Sequence, residues 1–173
     1  MKLLVFVLVF GTAVFAQQYQ YLIRHGEKPA NGSQGLTVQG EERAQCLTTV
    51  FGPSSAYNIG YIMAETPKSN GDRTRPLETV TPLAEELGLT VDISCDRDDP
   101  DCVAAAVAAY QSTEGAENVL ICWEHGELTD IATSLGVADA PEYPDADYNL
   151  IWTVTGGDLI STTSEDCPGL DTD

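Results

Sequence analysis

Short β-rich apolar runs alternate with longer mixed segments along most of this chain. Residues 19–24, 59–64, 90–94 and 119–123 have the length and apolar content of strands, and the last is almost continuously apolar, as in a strand buried on both faces of a parallel sheet. The segments between them predict helices. Thr37 is placed to cap one that runs to about Val50 and closes at Gly52-Pro53. A second extends from about Pro76 to Leu87, with Pro82 as a kink and Gly88 as the stop. Asp99 and Pro100 open a third over the alanine-rich residues 103–110, and residues 128–135 form a short fourth that ends at Gly136. Residues 150–154 and 159–162 flank Gly156-Gly157, a hairpin signal. Alternating strands and helices predict an α/β three-layer sandwich, with a mostly parallel central sheet, helices on both faces and an antiparallel edge.

The N-terminus departs from this rhythm. Lys2, the apolar residues 3–10 with Val14 and Phe15, and the small residue Ala16 read as a secretory signal peptide over residues 1–16. About 14 apolar or small residues fall short of the ~20 that span a bilayer. Residues 17–163 are then the single domain, and residues 164–173 an acidic C-terminal tail expected to be disordered. Secretion changes how the five cysteines are read, because an oxidising compartment permits disulfides. Cys95 with Cys102 is the favoured pair, bridging a strand end and a helix start. Cys46 with Cys167 would pin the tail to the first helix. Cys122, inside an apolar strand, is expected to be a free core thiol. Asn31-Gly32-Ser33 is an acceptor for glycosylation.

Of 173 residues, 27 are Asp or Glu and 8 are Lys or Arg, a formal charge of −19 with a pI near 4.1. Without Lys2, seven cations face 27 acids. Such a surface repels nucleic acid and anionic membranes, so neither is expected as a partner. It also makes the position of each cation informative. In α/β folds ligands gather at the C-terminal ends of the strands. The first strand ends in Arg24-His25-Gly26-Glu27 and the 119–123 strand in Glu124-His125-Gly126-Glu127, so both histidines of the chain fall at strand ends, each before a glycine. Arg24, Lys28, Arg73 and Arg75 lie in segments predicted to ring one pocket, leaving Arg43, Lys68 and Arg97 for the rest of the surface.

These residues resemble the histidine phosphatase superfamily, which includes the phosphoglycerate mutases and histidine acid phosphatases. Arg24-His25-Gly26-Glu27 is followed by Leu36-Thr37-Val38-Gln39-Gly40, similar to the family's Leu-Thr-x-x-Gly. Arg75-Pro76-Leu77-Glu78-Thr79 is similar to its Arg-x-x-x-Thr, and His125-Gly126 follows an apolar strand. The resemblance spans residues 19–160 and implies a phosphoglycerate mutase-like fold. It further implies that His25 is a nucleophile that becomes phosphohistidine, with Arg24, Arg75 and His125 holding the phosphoryl oxygens and no cofactor or metal. Guanidinium forks suit phosphate, and nearby cations disfavour the protonated imidazole. Arg73 competes with Arg75, which is preferred for its spacing to Thr79, while Lys28 and Arg73 are further candidates for substrate binding. For the general acid, the residue after the second histidine is Gly126 where acid phosphatases have Asp. The candidates are therefore Glu27 and the carboxylates of residues 96–101, a segment better suited to helix capping than to calcium.

Only 49 residues separate His25 from Arg75, and 49 more separate Arg75 from His125, which leaves no room for a large capping insertion. The expected function is that of a secreted, extracellular, metal-independent phosphomonoesterase acting on small phosphate esters through phosphohistidine. Small phosphorylated substrates or inorganic phosphate are its partners. The alternatives are a secreted phosphate-binding pseudoenzyme and, from the resemblance, a phosphoglycerate mutase.

Overall fold

The computed structural model describes residues 17–171; the expected signal peptide lies outside them. Six strands form one sheet: β1 (Gln20–Arg24), β2 (Ile59–Ala64), β3 (Val91–Asp92), β4 (Asn118–Trp123), β5 (Leu150–Thr155) and β6 (Asp158–Ser164). Four helices alternate with them: α1 (Val38–Val50), α2 (Arg75–Leu87), α3 (Pro100–Gln111) and α4 (His125–Ser134). The strand order is β3-β2-β4-β1-β5-β6, with β3, β2, β4 and β1 parallel and the β5–β6 hairpin antiparallel at one edge. This is the expected α/β sandwich.

Alternation along the buried strands feeds two cores. On β1, Leu22 packs with Val103, Val107, Ile131 and Trp152 under α3 and α4. Tyr21 and Ile23 point the other way, to Leu47, Phe51, Val80 and Leu83 under α1 and α2. β4 is buried and is paired with β1 on one side and β2 on the other, and the three parallel strands finish level with one another at the same end of the sheet.

Thr37 Oγ1 accepts from Gly40 N at 3.1 Å, Asp99 Oδ1 accepts from Cys102 N at 3.0 Å, and Gly88 closes α2 in the left-handed region at φ 68°. α2 runs on through Pro82. The start of α4 differs from expectation. It begins at His125, three residues early, because the Glu124 side chain accepts from Gly126 N at 3.0 Å and caps it. Glutamate is not a usual cap, so the sequence signal was weak.

The tail also corrects the reading. Residues 164–171 are packed, with a Cys46–Cys167 disulfide tying them to α1. Arg43, 2% exposed, donates to Glu165 Oε2 at 2.6 Å, to Asp171 Oδ1 at 2.9 Å and to Glu27 Oε1 at 2.8 Å. Arg43 is therefore an interior ion-pair hub rather than a surface charge. Cys95–Cys102 is the second disulfide, and Cys122 is free and buried, both as expected.

Candidate active site

His25 follows β1 directly, and its backbone N donates to Trp123 O of β4 at 3.1 Å. The ring is buried, with Nδ1 2.7 Å from Gly26 O. A carbonyl only accepts, so Nδ1 carries the proton and Nε2 keeps its lone pair. Burial lowers the His25 pKa to about 3. The Gly26 hydrogen bond opposes this, and the positive charges of Arg24, Arg75 and Lys28 add to it. The imidazole is thus neutral, with a lone pair on Nε2, over the whole weakly acidic range.

Gly26 N donates to Thr79 Oγ1 at 2.8 Å, and Thr79 in turn donates to Arg75 O at 2.7 Å, so α2 holds the turn after His25. This gives Thr79 its reason for following Arg75 by one helical turn. Arg75 lines a cavity of about 300 Å³ together with His25, and its guanidinium donates to Gly35 O and Ser33 O at 2.9 and 2.8 Å. Arg73, at φ 63°, lines the same cavity and reaches Asp98 at 3.4 Å. Lys68 and Arg97, assigned from sequence to the general surface, line it too. Lys28 is exposed and does not line the cavity, although its charge reaches both histidines.

Arg24 is fully buried, its guanidinium 3.8 Å above the Tyr148 ring. Nη1 donates to Asp145 O at 2.6 Å and Asp147 O at 2.9 Å, whereas Nε and Nη2 have no hydrogen-bond partner. Buried donors without acceptors are costly, and two on one guanidinium fit an anion. His125, the first residue of α4, places Nε2 2.9 Å from Asp145 Oδ1. Glu124 Oε1 lies 2.6 Å from Nδ1, but this nitrogen makes no aligned hydrogen bond, so the attraction is electrostatic. Burial first, then Arg24, lowers the His125 pKa, against the raising pull of Glu124 and Asp145. His125 lines a second cavity with Tyr143 and Asp145, and neither His125 nor Arg24 is among the residues lining the cavity of His25.

The general-acid candidates from the sequence lie outside the lining of the cavity of His25. The Glu27 carboxylate is turned to Arg43, with Arg43 Nε 3.1 Å from Oε1. Among the described residues none of the carboxylates of 96–101 lines the cavity of His25; Asp98 pairs with Arg97 and Arg73 instead. Glu65, Asp72 and Glu124 do line it. Glu65 was missed although it directly follows β2, the same placement that marked the histidines.

No sequence-family profile and no curated protein matches the chain. Solved structures do. A protein histidine phosphatase, SixA, in complex with tungstate matches at a TM-score of 0.62 and 16% identity, over 86% of this chain and 97% of that one. A putative α-ribazole-5′-P phosphatase from Escherichia coli matches at 0.54 and 16%, over 86% and 95%. A phosphoglycerate mutase from Bacillus anthracis matches at 0.50 and 14%, over 85% and 91%. Each of these neighbours is matched over nearly its whole length. At such identities the likeness concerns architecture, and by that measure the chain has the histidine phosphatase fold.

Proposed function

We propose that the protein is a secreted phosphomonoesterase that hydrolyses small phosphate esters through a phosphohistidine at His25, without a metal. The observation that carries this reading is a neutral His25 with a free Nε2 in a cavity edged by Arg75, Arg73, Arg97 and Lys68, beside the unpaired donors of Arg24. Nε2 attacks phosphorus and the ester oxygen leaves; water then attacks the phosphohistidine and releases phosphate. Arg24, Arg75 and His125 hold the non-bridging oxygens and balance charge as it spreads over them, a role that guanidiniums can fill without a cation. The tungstate held by the SixA neighbour is a tetrahedral oxyanion shaped like phosphate, which supports an anion site in this fold. Two disulfides, and no described helix long and apolar enough to cross a membrane, are compatible with secretion.

Hydrolysis of an aryl phosphate with chelator present tests the proposal, together with acid-labile, base-stable incorporation of phosphate that His25→Ala abolishes. A folded protein inactive from pH 4 to 8 overturns it. One observation bears on a second reading, a phosphate-binding protein without turnover: the Asp145 carboxylate engages His125 Nε2 at 2.9 Å and so withholds that side chain from the reaction, while Arg75 stays at the cavity of His25. Vanadate binding with no hydrolysis would select that reading.

A further inference from the structure

We infer that Glu65 is the proton donor to the departing ester oxygen and, in the second step, the base that activates water. The inference rests on the phosphatase reading above and adds a catalytic residue to it. Among the described residues three carboxylates line the cavity of His25, and two of them are engaged as hydrogen-bond acceptors. Glu124 Oε2 caps α4 at Gly126 N, and its Oε1 faces His125 Nδ1. Both oxygens of Asp72 accept from side-chain amides, Oδ1 from Gln34 and Oδ2 from Asn70. Glu65 differs on both counts. It is 2% exposed, and its one hydrogen bond among the described residues is a long 3.4 Å from Glu124 N to Oε2.

Its position in the sheet suits the task. Ala64 pairs with Cys122 and Arg24 with Trp123, so Glu65 leaves β2 level with the end of β1, one strand beyond β4. Two strand spacings put the ends of β1 and β2 roughly 10 Å apart. That distance accommodates His25, a phosphoryl group and a leaving oxygen in line, with Glu65 at the far side.

Burial raises the Glu65 pKa to about 7. The Glu124 N–H and the charges of Arg73 and Arg97 resist the rise, and the Glu124 carboxylate adds to it. These are the charged groups that face it from the loops before α2, α3 and α4. A carboxyl so placed keeps its proton in weak acid. In the first step the N–P bond to His25 Nε2 forms, the P–O bond breaks, and the Glu65 proton passes to the alkoxide. In the second step the Glu65 carboxylate takes a proton from water as water attacks phosphorus and the N–P bond breaks, which restores the acid.

The test is the dependence of kcat/KM on leaving group in wild type and Glu65→Gln, because kcat/KM reports only steps through the first irreversible one. An alkyl phosphate needs protonation of its leaving oxygen and should lose about 100-fold in the variant. 2,4-Dinitrophenyl phosphate does not need it and should stay within about 3-fold. The variant should also accumulate phosphohistidine from the dinitrophenyl ester, and its alkaline limb should vanish. Equal losses for both esters, with unchanged circular dichroism and phosphate binding, would overturn the assignment while leaving the phosphatase reading intact. A wild-type enzyme that hydrolyses neither ester would overturn both.

Discussion

Asp145 Oδ1 stands 2.9 Å from His125 Nε2, on a loop whose backbone carbonyls also receive Arg24. Two groups suited to phosphate are thus shared with a carboxylate of the chain itself, and an incoming anion must compete with it. The Asp145 side chain is 84% exposed, so the competition is screened and modest. Asp145→Ala is expected to tighten phosphate binding and lower KM about 2- to 5-fold, the span of up to about 1 kcal/mol. Calorimetric titration with phosphate and steady-state kinetics check this. Weaker binding in the variant would instead make Asp145 a brace for His125.

The two shifted groups define a pH window. His25 must be neutral, and its lowered pKa of about 3 keeps it so above pH 4; Glu65 must be protonated, and its raised pKa of about 7 keeps it so below pH 6.5. For alkyl esters, kcat/KM should therefore be flat from about pH 4 to 6.5 and fall above pH 7, as read from a pH–rate profile.

Glu65 also links pH to stability. Its raised folded pKa means that the stability it contributes at low pH is lost as pH rises from the unfolded value near 4.5 through about 7. The full cost is on the order of 3 kcal/mol. Glu65→Gln is expected to be more stable than wild type at pH 8 by up to that amount and little different at pH 4, measured by urea unfolding at both.

Thr79 accepts the Gly26 N–H that sets the turn after His25. Thr79→Val keeps the shape but strands a buried donor, a loss of about 1–3 kcal/mol. The expected result is a fall of about 10-fold in kcat with phosphate affinity nearly unchanged, because the nucleophile rather than the anion cradle shifts.

The packed tail is expected to be a main source of stability. Cys46 and Cys167 lie 121 residues apart, and chain-entropy arguments assign such a closure about 5 kcal/mol. Removing Arg43 would leave Glu27, Glu165 and Asp171 facing one another without their cation, at about 3–5 kcal/mol. Arg43→Met should therefore lower the melting temperature by an amount comparable to, and no larger than, that of Cys46→Ala/Cys167→Ala, by scanning calorimetry without reductant.

Strand and helix order was legible because each buried strand carries its own apolar run, and because Thr37, Asp99 and Gly88 punctuate the helices in ordinary ways. Both histidines and Arg75 were legible for the same reason, since strand ends and a helix start place them. The tail was not. Its acidic composition suggested solvent, and the guanidinium that gathers Glu165 and Asp171 sits more than 120 residues earlier. Asp145 likewise belongs to a loop without periodicity, so nothing local links it to His125. Glu65 was within reach of the strand-end rule, but carboxylates are so common in this chain that one more carried no signal.

The backbone contact between the first two motifs has a consequence for how they change over time. A methyl group on Gly26 would come within 2.9 Å of Gly40 O, and one on Gly40 within 2.7 Å of Glu27 O. The nucleophile's turn and the opening turn of α1 therefore touch with no side chain between them, and neither glycine can grow without pushing the other element away. Once one is replaced, the constraint on the other is already gone. In descendants of this chain the two positions should be kept or lost together, so Arg-His-Gly and Leu-Thr-x-x-Gly amount to a single inherited joint written in two places.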